Sequence, residues 1–215
     1  MKKHTERIIS KLIDRDRNFE IIPVKEAVEE ITTCYRRGNK LLVCGNGGSA
    51  VDSMHIVGEL MKGFLLPRKL DEIKQEHIRE LFPETSQYFI DNLQKTLPAI
   101  SLVSEIALST AYANDQSPDL SFAQQVLGHG NKGDILIAIS TTGNSRNVIY
   151  AAQIAKLQDM IIISFTGSQG GKLKEISDIL INVPSDETYI IQEYHLPVYH
   201  TICAAVENEM FSDEE

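Results

Sequence analysis

The sequence predicts an α/β fold: a doubly wound parallel sheet with helices on both faces. Three observations predict it. Short, continuous apolar runs recur at residues 40–44, 99–102, 134–139, 160–165 and 178–183. Runs of this kind suit strands buried on both faces of a parallel sheet. Helical patterns separate them, and strands alternating with helices mark a doubly wound arrangement. The chain has 215 residues, 42% of them hydrophobic, which is enough for one large core. Residues 1–215 are therefore expected to form a single domain.

The elements follow in order. A helical N-terminal segment, 1–38, holds two helices, from Glu6 to about Arg17 and over 24–37. The second carries Ala27, Val28, Ile31 and Cys34 at helical spacing and stops at Arg37-Gly38-Asn39. Strand 40–44 leads into a helix over 49–63. The charged stretch 70–96 interrupts the rhythm as two short helices around Pro83, an insertion too short for a core of its own. Strand 99–102 is followed by helix 105–113, strand 134–139 by helix 144–157, and strand 160–165 by a short helix over 171–176. Strand 178–183 precedes a closing helix over 187–211, in which Pro197 predicts a kink or local opening.

Charge and cysteines exclude several classes. Lys and Arg number 21 against 30 Asp and Glu, a net charge of −9. No long basic run exists, so nucleic acid is not an expected partner. No run of 18 apolar residues exists, so no membrane span is expected. The charged start lacks the apolar core of a signal peptide. Cys34, Cys44 and Cys203 are odd in number and scattered, as reduced structural thiols are, which predicts a cytoplasmic protein and excludes a cysteine zinc site. An anionic ligand must then be held locally, by N–H groups and hydroxyls.

Two loops after strands offer such groups. Gly45-Asn46-Gly47-Gly48-Ser49-Ala50 satisfies the dinucleotide fingerprint on paper. It lacks the second strand ending in an acidic residue about 20 positions on, because Phe64-Leu65-Leu66-Pro67-Arg68-Lys69 fills that window. The favoured reading is an oxyanion or sugar-hydroxyl site at a helix N-terminus; a bare turn is the alternative. In Ser140-Thr141-Thr142-Gly143-Asn144-Ser145, hydroxyls cluster where helix N–H groups point outward, and the helix dipole favours an anion there. Ser140, Thr142 and Ser145 can each donate to a phosphate oxygen. The alternative is that Asn144 or Ser145 caps the helix. A parallel sheet puts both loops at the carboxyl ends of its strands.

His55 and Glu59 lie four apart, on one helix face. Gln192 and His200, eight apart, differ by about 80° around a regular helix and can converge. The four make a possible N/O set for zinc or another divalent ion, with Glu59 as general base and His200 as acid. The alternative is an ordinary surface pair and a structural histidine. His195 is expected to line the same site, and His4, His77 and His129 to be solvated.

Taken together, Gly45-Asn46-Gly47-Gly48-Ser49, His55 to Glu59, Asn114-Asp115, Ser140 to Ser145 and Gln192 to His200 resemble, in order, the phosphoheptose isomerases of the sugar isomerase (SIS) domain fold. The resemblance implies an enzyme, an aldose–ketose isomerase turning sedoheptulose 7-phosphate into D-glycero-D-manno-heptose 7-phosphate through an enediol. Glu59 would move the proton between carbons 1 and 2, with His200 as partner acid/base. His55, Glu59, Gln192 and His200 would match the zinc ligands, one ion per subunit. Ser140, Thr141, Thr142 and Ser145 would hold the phosphate. Asn46, Gly47, Ser49, Asp115 and Gln192 would line the sugar. The implied assembly is a homotetramer with sites at subunit interfaces. Three departures stand out, the first being that the segment 70–96 has no counterpart in the compact members. Where relatives carry Gly-Arg after the glutamate, this chain has Leu60-Met61-Lys62-Gly63-Phe64, and Thr142 replaces a serine. The other readings are a non-catalytic SIS protein that senses sugar phosphates or binds a replication initiator, and a dinucleotide or nucleotide-sugar enzyme.

Overall fold

A computed structural model describes residues 1–16 and 19–213. Its sheet has five parallel strands in the order β2-β1-β3-β4-β5: β1 (Leu41–Gly45), β2 (Ala99–Ser101), β3 (Ile135–Ile139), β4 (Ile161–Thr166) and β5 (Ile179–Asn182). All five predicted strands are present.

Alternation along the strands divides the core in two, because successive side chains point to opposite faces. Leu41, Val43, Ile135, Ile137, Ile163 and Phe165 face one way, towards α1 (Lys3–Arg15), α2 (Ile21–Arg36), α3 (Gly48–Met61) and α9 (Thr188–Phe211). Leu42, Cys44, Leu136, Ala138 and Ile162 face the other way, towards α7 (Ser121–His129) and α8 (Arg146–Leu157). Burial on both faces is what the continuous apolar runs require.

The first helix ends at Arg15, and the predicted end at Arg17 lies outside the described residues. α2 starts two residues before Pro23, which sits in its first turn, where no N–H is needed. The stretch after α3 holds the two expected short helices, α4 (Glu72–Leu81) and α5 (Ser86–Asn92), closed at the base by an antiparallel bridge between Lys69 and Gln94. α6 (Ile106–Asp115) leads through a 3₁₀ turn, Pro118–Leu120, into α7, which the sequence reading did not foresee. The segment expected as an α-helix over 171–176 is a 3₁₀ helix, Gly171–Glu175, entered by the left-handed Gly170. Pro197 does not break α9, which runs as one helix of 24 residues. Among the described residues no helix is long and apolar enough to cross a membrane.

A buried ion pair fixes the chain where α3 ends. Glu207 of α9 accepts from the backbone N–H groups of Phe64, Leu65 and Leu66 and from Arg68 Nε at 2.7 Å. Arg68 in turn donates to the carbonyls of Leu60 and Glu59. Both charged side chains are fully buried.

Candidate active site

The turn after β1 needs glycine. Gly47 has φ +57°, in the left-handed region, and caps α3 without any side-chain hydrogen bond. Gly48 follows, and a Cβ there would come 2.6 Å from Gln192 Nε2. The Gln192 amide therefore lies against the open N-terminus of α3. Asn46 reaches across to α8, where it exchanges two amide hydrogen bonds with Asn147, 2.8 and 2.9 Å. Ser49 is nearly fully buried against Gly45.

The second loop is held from behind. Ser140 N–H continues the ladder by donating to Phe165 O, and Gly167 N–H donates to Thr141 O. Gly143 has φ +66° and packs on Gly170, so closely that a Cβ would collide with the Gly170 carbonyl oxygen. Lys172 N–H donates to Asn144 Oδ1. Ser140 Oγ lies 2.9 Å from Ser145 Oγ, and Thr142 Oγ1 accepts from Asn144 N–H. Ser145 occupies the N-cap of α8, yet no side chain bonds back from it to the helix. The capping alternative for these hydroxyls is thus not what the structure adopts. Asp115 ends α6, exposed and bonded to its neighbour Asn114.

A second cluster lies further along α3 and α9. These helices run side by side in the same direction: Gln192 meets Gly48, and Tyr199 and His200 meet Asp52 and His55. His55 Nε2 lies 3.2 Å from Glu59 Oε1 and 3.5 Å from His200 Nε2. Lys62 Nζ holds the other Glu59 oxygen at 2.9 Å. Phe64 packs beside the His200 ring.

Desolvation pushes the Glu59 carboxyl up, but the Lys62 hydrogen bond and charge, with His55, outweigh it and leave it below its usual value. Burial, with the nearby His55 charge, lowers His200. At neutral pH the pair is therefore a carboxylate beside a neutral imidazole, one a base and the other able to give or take a proton.

The structure thus brings His55, Glu59 and His200 together and places Gln192 elsewhere. At 1.5 Å rise per residue, Gln192 is about 12 Å along α9 from His200, and Gly48 about 10 Å along α3 from His55. Gln192 belongs with the two loops. His195, expected at the same site, is instead fully buried, its Nε2 3.4 Å from Thr166 O. His4, His77 and His129 are exposed, as expected. Asn147, Tyr199 and Asp52 escaped the sequence reading. Asp52 precedes His55 by one turn and Tyr199 adjoins His200, but only the pairing of α3 with α9 gives those spacings meaning.

The SIS domain family model matches residues 5–88 and 76–167. A phosphoheptose isomerase 2 of Campylobacter jejuni is 36% identical over 204 residues, 95% of this chain and 88% of the relative. The structure of a phosphoheptose isomerase from Francisella tularensis superposes with a TM-score of 0.74 at 30% identity, covering 95% of each chain. That of a phosphoheptose isomerase from Neisseria gonorrhoeae gives 0.71 at 30% identity, over 95% of this chain and 94% of its own. With these likenesses spanning nearly its whole length, the chain belongs to the phosphoheptose isomerase family of SIS domain proteins.

Proposed function

We propose that the chain is an aldose–ketose isomerase that interconverts sedoheptulose 7-phosphate and D-glycero-D-manno-heptose 7-phosphate through an enediol. The observation that carries this reading is the meeting of Glu59 and His200 at His55, on a helix pair, α3 and α9, of which α3 opens at one anion-suited loop while the neighbouring α8 opens at the other.

The roles divide along the substrate. Ser140, Thr141, Thr142 and Ser145, with the first N–H groups of α8, take the phosphate. Asn46, Gly47, Ser49, Asp115 and Gln192 line the sugar. Glu59, ionised, removes the proton from one of carbons 1 and 2 and returns it to the other. His200, neutral, moves the hydroxyl proton and assists ring opening.

His55, Glu59 and His200 would hold one Zn2+ per subunit, while Gln192, about 12 Å along α9, lies too far off within the same chain to be their fourth donor. Among the described residues no group of three His, Cys, Asp or Glu side chains stands ready around a metal position. The donor types fit nonetheless, and so do the pairwise separations of 3.2 and 3.5 Å. Two ligands on one tetrahedral zinc lie about 3.3 Å apart. When bound, the ion would polarise the sugar's carbonyl and hydroxyl oxygens.

The assembly is a homotetramer with sites at subunit interfaces. Supporting this is the two-turn offset within one chain between the phosphate loops and the His/Glu cluster, which a neighbouring copy can bridge. The chain is one domain, with the helical segment 1–38 and the insertion 70–96, and it works in the cytoplasm, where its three buried cysteines stay free.

The test is to incubate the purified, zinc-supplied protein with sedoheptulose 7-phosphate and follow the aldose product by NMR. Conversion is expected, with kcat falling about 10²–10⁴-fold in Glu59→Gln. Failure to interconvert any ketose and aldose phosphate of five to seven carbons overturns the reading.

A further inference from the structure

Behind His55 lies a short chain of polar atoms for which the isomerase reading has no use. Tyr199 Oη is 2.9 Å from His55 Nδ1 and 3.4 Å from Asp52 Oδ1. Tyr199 is only 2% exposed, and its ring meets those of both His55 and His200 edge-on. The second carboxylate oxygen of Asp52 is buried and, among the described residues, has no hydrogen-bond partner. Asp52 therefore depends on Tyr199 for a donor.

A phenol has one proton to give. Asp52, as a carboxylate, can only accept. If Tyr199 donates to Asp52, its oxygen is left to accept, and the group facing it must be a His55 Nδ1–H. If Tyr199 donates to His55 instead, Asp52 keeps a buried oxygen and loses its only donor. The second arrangement would let His55 Nε2–H bond Glu59. That pair is half-exposed, with His55 at 40%, and Glu59 already has Lys62. Water can replace a half-exposed pair, whereas Asp52, whose Oδ2 is already buried without a donor, would then lack one at Oδ1 as well. The first arrangement wins.

We propose that Tyr199, anchored by Asp52, is a positioning residue that fixes His55 as the tautomer protonated on Nδ1, so that its Nε2 lone pair faces Glu59 and His200. An imidazole nitrogen and a carboxylate oxygen then converge as acceptors beside the His200 ring. Such a set suits a divalent cation at that point. Outer groups that orient a ligating histidine in this way typically set metal affinity by 10–100-fold. The metal half of the proposal rests on the zinc site proposed above; the tautomer half does not.

Two measurements separate them. In metal-free protein, ¹⁵N NMR of the histidine rings reads the tautomer of His55. The wild type is expected to carry the proton on Nδ1, and Tyr199→Phe, which keeps the ring and its packing, to shift His55 towards Nε2–H. Asp52→Asn, which leaves Tyr199 in place and frees its proton for His55, is expected to do the same. Competition with a chromogenic chelator then reads zinc affinity, expected to fall about 10–100-fold in both variants while the melting temperature of the metal-free protein changes little. A wild-type His55 protonated on Nε2, or variants with unchanged tautomer and unchanged zinc affinity, overturn the proposal. A wild type with the expected tautomer, lost in Tyr199→Phe, that binds no zinc upholds the relay and removes the metal from the proposed function instead.

Discussion

Asn46 and Asn147 face each other with their amides reversed, each donating Nδ2–H to the other's Oδ1, at 2.8 and 2.9 Å. One follows β1 and the other opens α8, so this pair ties together the two strand–helix loops. Asn147 Oδ1 also accepts from Val148 N–H. Neutral hydrogen bonds contribute about 0.5–1.5 kcal/mol each. Asn147→Ala is expected to loosen the loops relative to each other and to raise KM for the sugar phosphate about tenfold, with a smaller change in kcat. Steady-state kinetics on sedoheptulose 7-phosphate check this, and an unchanged KM would show that the loops hold their spacing without the pair.

This bond illustrates where sequence reading stops. All five strands were legible because a doubly buried strand needs an unbroken apolar run, and that demand is local. Both loops were legible because glycine and hydroxyls at a strand–helix junction are local signals too. α7 was missed although Phe122, Ala123 and Val126 lie on its buried face, since no cap or preceding strand announces it. Asn147 and Tyr199 fall inside predicted helices, with nothing local to single them out. Their partners stand about a hundred or more positions away, and no spacing within one helix encodes that. Gln192 was grouped with His200 by angle around the helix, but the 12 Å rise along the axis decides the matter.

Gly143 is expected to tolerate no side chain. Its φ of +66° strains any L-residue, and a Cβ would run into the carbonyl of Gly170. Gly143→Ala must therefore push apart the loops after β3 and β4, disturbing Thr142 and Asn144 together. Loss of about 2 kcal/mol or more is expected in urea unfolding, with a weakened response of the melting temperature to added sugar phosphate. An alanine variant as stable and as ligand-responsive as the wild type would mean that the close approach of these loops is dispensable.

The Arg68–Glu207 pair is expected to be among the most sensitive positions outside the site. Glu207→Gln removes the charge facing a fully buried Arg68 and weakens an acceptor that serves three consecutive N–H groups. Breaking one side of a buried pair typically costs about 3–5 kcal/mol. Replacing both partners by apolar residues, often neutral elsewhere, is expected to destabilise here because the N–H groups of Phe64, Leu65 and Leu66 would lose the acceptor they share. Chemical denaturation of Glu207→Gln and of the Arg68→Met/Glu207→Leu double variant tests both statements. A double variant of wild-type stability would assign the energy to the charges alone.

His195 supplies a pH dependence of stability separate from catalysis. Burial lowers its pKa from 6.5 to about 4, only partly offset by the Thr166 carbonyl. The unfolded chain binds a proton near pH 6.5, while the folded one resists until about pH 4, so the unfolded state holds more protons in between. Stability from this group is then complete above pH 6.5 and is lost progressively as pH falls towards 4. The difference of about 2.5 pH units corresponds to an upper figure of about 3 kcal/mol. Urea midpoints measured from pH 7.5 down to 4.5 should fall accordingly. In His195→Leu, which has nothing to protonate, that part of the slope should disappear even if the variant is less stable at pH 7.5. A variant whose midpoint falls as steeply as the wild type's would place the acid sensitivity in other groups, since only a slope that vanishes with the imidazole belongs to it.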